Sequence, residues 1–301
     1  MRFMYPRWSK LPYAGEKKPP TDPVDPLAGS WSTYFIRLDR SGAIRDRNGR
    51  RVKLSIRDPN SIRWDEQLKI VQKTLKKLTK QQIRVAKYWG TGVATKQFTP
   101  IIDRLIDTYG ISPARAARIL AAVQAGINDA LVVTWFYKYR WDVARPNQLD
   151  PKLTTILCTP RFPAYVSGHS AVAGCAQVIL SYFFPGESKR LKQLAEECAK
   201  SRLYAGVHFP IDNEQGLRVG RQIGKIVVAE LRKERNAKSQ PIDVPIQENR
   251  KAKLPPPPYS QVIPFRFNER CQSKVRKSQM KKKTKLIRNK GRSYRIRSRA
   301  V

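Results

Sequence analysis

The stretch SPARAARILAAVQAGINDALVVTWFYKYR, Ser112 to Arg140, decides how the rest of the chain is read. Ser112 offers a capping hydroxyl, and Pro113 suits the first helical position, where a missing N–H is no loss. From Pro113 to Tyr137 the density of Ala, Ile, Leu and Val places the predicted helix at the centre of a helical bundle. Just past it stand Lys138 and, seven residues on, Arg145, with Pro146 ending the local helix.

Helical signals continue on both sides. Gly110 stands where a preceding helix should end, and Thr99-Pro100 reads as a helix start. Leu68, Val71, Leu75 and Leu78 recur at three- and four-residue steps, and Thr79 with Gln82 forms a capping-box pattern. Downstream, helices are predicted over about 167–184, 188–204 and 213–235. In the last, the glycines of a stripe through Leu217, Gly220, Gly224, Val227 and Leu231 permit close packing. Before the bundle, STYFIRL and VKLSI read as strands joined by an Asn48-Gly49 turn. Residues 1–28, rich in Pro and charge, read as an irregular arm able to wrap the body.

The expected fold class is therefore all-α: a helical bundle with a small N-terminal β-hairpin and a disordered basic C-terminal tail. The expected divisions are 1–60 for the arm and hairpin, 61–237 for the helical domain, and 238–301 for a Pro-containing linker and tail. Residues 250–301 carry 18 Lys or Arg against the single acidic Glu269, a composition that cannot offset its ordering entropy.

In the whole chain 60 Lys and Arg face 23 Asp and Glu, a formal charge of +37, so anionic ligands or surfaces are attracted. No signal-peptide pattern or transmembrane run is read. The densest apolar stretch, Ala171 to Phe184, is 14 residues long and suits a buried helix. Cys158, Cys175, Cys198 and Cys271 form no CxxC pair, so a reducing, cytoplasmic setting without a disulfide scaffold is expected.

The chain has two histidines. His169 follows Ser167-Gly168; His208 follows Arg202 by six residues and precedes Asp212 by four. Lys138, Arg145 and Arg202 suit a multiply charged oxyanion, and Ser167 with the Gly168 amide adds donors at a helix N-terminus. Asp212 can hold the tautomer of His208, which is then free to attack phosphorus or bind a metal, while His169 serves as acid and base.

Lys138-x6-Arg145-Pro146, Ser167-Gly168-His169 and Ser201-Arg202-x5-His208-x3-Asp212, in that order, resemble the three-part signature of type 2 phosphatidic acid phosphatases, bacterial acid phosphatases and vanadium-dependent haloperoxidases (the PAP2 / vanadium haloperoxidase superfamily). The surrounding KYWGTG, RFPAYVSGH and SRLYAGVHFPIDNEQGLRVGRQIG are similar to the bacterial haloperoxidase-like branch, over roughly residues 60–235. The resemblance implies His208 axial to a bound vanadate, Lys138, Arg145, Arg202, Ser167 and Gly168 on its oxygens, His169 as acid/base, Phe162 lining the pocket, and hydrogen peroxide and halide as substrates. The phosphatase alternative uses the same residues on a phosphomonoester through a phosphohistidine at His208, with no cofactor. Val166 stands where the signature has proline. A reading of another class has residues 250–301 bind nucleic acid or another polyanion.

Overall fold

A computed structural model describes residues 4–263, 271 and 273–276. The N-terminal arm leads into a three-stranded antiparallel meander, β1 (Ile36–Leu38), β2 (Ile44–Asp46) and β3 (Arg51–Val52). Ile36 faces Asp46 and Ile44 faces Val52 in its register. The expected hairpin is thus corrected. Its Asn48-Gly49 turn joins β2 to β3, and the polar run around Arg45 hides a further strand. Leu54 and Ile56 pack against the core beyond the end of β3.

Among the described residues eight α-helices follow: α1 (Trp64–Lys76), α2 (Lys80–Gly90), α3 (Ala94–Tyr109), α4 (Pro113–Trp141), the single turn α5 (Pro146–Leu149), α6 (Gly168–Phe183), α7 (Ser188–Ala205) and α8 (Pro210–Leu231). Local chemistry explains their ends. Thr79 Oγ1 accepts from the Gln82 amide at 3.1 Å, and Gln82 Oε1 accepts from the Thr79 amide at 2.9 Å, a complete capping box. Gly110 closes α3 at φ +57°. The helix start expected at Thr99-Pro100 is not one. Pro100 lies inside α3, because the buried face of Phe98, Ile101, Ile102 and Leu105 begins before it and packing carries the helix through.

α6, α7 and α8 pack together with α4 against them. Gly220 makes the closest approach possible: a Cβ there would stand 2.0 Å from the Ala171 carbonyl oxygen. α4 is long and apolar enough to cross a membrane by length and composition, and 56% of its most apolar window is buried within the fold.

Residues 238–263, expected as a linker entering a disordered tail, run along the body. Asp243 takes both Nε and Nη2 of Arg118, Ile246 N donates to Phe183 O at 2.9 Å, and Ala252 and Leu254 are buried in the core. These apolar positions are what a composition dominated by charge conceals. Cys158 and Cys271 form a disulfide with Cα atoms 5.6 Å apart, correcting the expectation of separate thiols; Cys175 and Cys198 are free and buried. The basic runs proposed for polyanion binding, Lys281 to Lys283 and Arg292 to Arg299, lie outside the described residues.

Candidate active site

Lys138 lies in the last turn of α4, Arg145 just before α5, Ser167 and Gly168 open α6, His169 follows, Arg202 ends α7, and His208 and Asp212 flank the start of α8. Five helix ends thus contribute, and folding closes their sequence gaps. Arg145 Nη1 lies 2.9 Å from His208 Nε2, and His208 Nδ1 lies 2.9 Å from Asp212 Oδ2. A guanidinium has no acceptor, so Nε2 carries the lone pair and Nδ1 the proton that Asp212 accepts. Asp212 Oδ2 also accepts from the Phe209 amide at 2.9 Å, capping α8 while it orients the histidine.

The loop preceding α6 fixes the cations. Lys138 Nζ donates to the carbonyls of Pro163 (2.8 Å) and Ala164 (2.9 Å), which leaves one N–H. Arg145 donates through Nε to Phe162 O at 2.9 Å and through Nη1 to Val207 O at 2.7 Å. Ser167 Oγ accepts from Ser170 Oγ at 3.1 Å, so its own proton is available to donate. Val166, in the signature's proline position, is fully buried.

Electrostatics set this cluster apart. Lys138 and Arg145 are wholly buried, Arg202 nearly so, with Asp212 as the counter-charge. Burial pushes Lys138 well below the usual lysine range, with repulsion from Arg145 adding to it, and lowers Arg145 and Arg202 to about 10. Burial also holds both histidines well below the ordinary imidazole value; Arg145 adds most to this at His208 and Arg202 at His169. The same burial raises Asp212, against the Phe209 amide and Lys138. Each unpaired buried ion costs on the order of several kcal/mol, so this cluster is a poor stability element by itself.

Five buried polar atoms here have no hydrogen-bond partner among the described residues: Arg145 Nη2, Arg202 Nε and Nη1, His169 Nε2 and Asp212 Oδ1. Three of these are guanidinium donors, the atoms that match the oxygens of a tetrahedral anion.

The structure brings all nine sequence-predicted residues to one place. Phe162 lies over the cations, its ring centroid 4.9 Å from Arg145 Cζ and 5.1 Å from Lys138 Nζ. Two further residues belong here. The Trp135 ring lies 4.9 Å from that of Phe162, tilted 48° to it, and 5.9 Å from Lys138 Nζ; its place one turn before Lys138 on α4 was the available signal. Gly90 makes room for Arg202, since a Cβ there would stand 2.5 Å from Nη1; α2 is far away in sequence, and no local pattern announces it.

Residues 117–235 match the profile of the PAP2 superfamily. In fold, the chain is similar to a bacterial vanadium-dependent iodoperoxidase, with a TM-score of 0.60, 23% identity, and coverage of 77% of this chain and 62% of that one. It is also similar to a bacterial vanadium-dependent chloroperoxidase in its apo form (TM-score 0.56, 13% identity, 75% and 62% covered) and its holo form (TM-score 0.55, 14% identity, 75% and 63% covered). The chain thus spans less than two thirds of the length of these proteins. Comparison with curated proteins finds no match. The signature residues from Lys138 to Asp212, gathered at these helix ends, all lie within the part of the chain, residues 117–235, that is similar to the PAP2 superfamily.

Proposed function

We propose that this cluster binds a tetrahedral oxyanion and that the protein is a vanadium-dependent haloperoxidase-like enzyme, oxidising halide with hydrogen peroxide. The observation that carries the reading is the set of partnerless buried donors on Arg145 and Arg202, beside a histidine whose Nε2 lone pair is held toward them by Asp212. Vanadate, when bound, activates peroxide toward attack by a nucleophilic halide. His208 Nε2 is the candidate ligand that would hold it, and Lys138, Arg145, Arg202, the Ser167 hydroxyl and the Gly168 amide would hold its oxygens. Asp212 keeps the Nδ1 proton and so keeps Nε2 basic. His169 Nε2, neutral because burial disfavours its charged form, is placed to take a proton from an incoming hydroxyl. The surrounding core excludes bulk water and strengthens each of these interactions.

The same donors suit a phosphomonoester. There His208 Nε2 attacks phosphorus, the P–O bond to the leaving group breaks, and His169 Nε2 takes the proton of the incoming phosphate monoanion, hands it to the leaving alkoxide and then, neutral again, activates water. The peroxidase reading ranks first because 75–77% of the chain is similar in fold to bacterial vanadium haloperoxidases, at TM-scores of 0.55 to 0.60. Vanadate-loaded protein is expected to oxidise iodide or bromide with peroxide, and His208→Ala to abolish it. Phosphomonoester hydrolysis without peroxide-dependent halide oxidation would reverse the ranking.

A further inference from the structure

The site's cations are shut away from solvent, and two half-buried side chains of the loop 155–162 lie against them. At one end of it, Leu157 Cδ1 fills the space beside Gly90 into which Arg202 Nη1 also projects. At the other, the half-buried Phe162 covers Arg145 and Lys138.

Both terminal segments of the described chain converge on this loop. From the N-terminal arm, both Glu16 carboxylate oxygens take Arg161 Nη1 at 2.8 Å, and Asp22 pairs with Arg161 Nη2 at 2.6 Å. The Val24 amide donates to Arg161 O at 2.9 Å, while the Val24 carbonyl accepts from Tyr139 Oη on α4 at 2.7 Å. From the C-terminal side, Cys271 is disulfide-bonded to Cys158, and Thr155 exchanges backbone hydrogen bonds with Lys274 (3.1 Å) and Arg276 (2.8 Å). The Lys274 amide donates to Ala14 O at 2.7 Å, so the two segments are also tied to each other.

We propose that the arm and the C-terminal segment form a clamp on the 155–162 loop that sets the size of substrate the site admits. This rests on the oxyanion reading above. Exchange of any ligand with cations this deeply buried requires Leu157 and Phe162 to move, and the clamp limits how far they can. The ion pairs of Arg161 are partly exposed and weak enough to release and re-form, whereas the disulfide is a fixed tether. The class admitted is small: inorganic oxyanions, halide, peroxide and phosphomonoesters of small alcohols. Aryl and long-chain esters are turned away at the rim, before they reach the cations.

The test uses the full chain and orthovanadate. Release of bound vanadate into excess phosphate is timed, and methyl phosphate and 1-naphthyl phosphate are compared as competitors for vanadate. Three proteins are measured: wild type, Arg161→Ala, and the arm variant Glu16→Gln/Asp22→Asn, which leaves the loop sequence intact. Loosening the clamp is expected to speed release by about 10-fold and to shrink the preference for methyl over naphthyl phosphate by a similar factor. The vanadate Kd should stay within about threefold, since gating changes both rates together. Vanadate that binds normally, with release and size preference unchanged in both variants, overturns the clamp alone. Vanadate that does not bind wild type, or binds His208→Ala equally well, overturns the oxyanion reading and the clamp with it.

Discussion

His208 and Asp212 stand one helical turn apart at the entry to α8, joined by a 2.9 Å hydrogen bond between Nδ1 and Oδ2 with 2% and 0% of their side chains exposed. Because Arg145 Nη1 donates to the other ring nitrogen, both edges of the imidazole are assigned, and the tautomer with a lone pair on Nε2 is the one that satisfies both contacts.

Asp212→Asn puts an amide beside Nδ1 that can donate as well as accept, so the tautomer is no longer enforced. Oxyanion affinity should fall by about 10- to 100-fold while the helical content by circular dichroism stays that of wild type. Calorimetric titration with orthovanadate reads the loss.

Gly90→Ala places a methyl group 2.5 Å from Arg202 Nη1 and 2.1 Å from Leu157 Cδ1. Both side chains must shift, and loss of one positioned guanidinium should weaken oxyanion binding by about 10-fold, the worth of a charge-assisted hydrogen bond. A binding constant equal to that of wild type would show that Gly90 does not set the position of Arg202 on the ligand.

Acid stability carries the signature of the two histidines. Their folded-state pKa values are depressed, so below the ordinary imidazole value the unfolded chain binds more protons there and the histidine contribution to stability falls as the pH falls, while Asp212, raised by burial, contributes with the opposite sign over the same range. Each histidine contributes a slope of up to about 1.4 kcal/mol per pH unit below roughly 6.5. His169→Gln removes one of the two, and urea unfolding between about pH 7 and pH 5 should show a correspondingly shallower slope than wild type.

Gly220→Ala tests the contact between α6 and α8. Its Cβ would meet the Ala171 carbonyl oxygen at 2.0 Å with backbone on both sides, so the helices must part. A destabilisation of about 1–3 kcal/mol is expected from chemical denaturation, with no change in the denaturant slope.

Much of this was legible in the chain. The apolar run of α4, the Thr79–Gln82 box and the α8 glycines each act over a few residues, so pattern alone reveals them. The candidate site residues stood out because histidine is scarce and their spacing follows helix ends. What stayed hidden depends on distant partners. Pro100 looks like a helix start until the buried face on both sides of it is known, and Gly90 acquires meaning only when α7 brings Arg202 against it. Cys271 lies 113 residues from Cys158 in a segment whose charge suggests disorder, and its pairing depends on the same return of the chain that buries Ala252 and Leu254.

The most direct measurement is a crystal structure of the protein soaked in orthovanadate. The account predicts density for a tetrahedral or five-coordinate oxyanion at bonding distance from His208 Nε2, contacted by Lys138, Arg145, Arg202, Ser167 and Gly168. Occupied vanadate sites elsewhere, with none at His208, would contradict it.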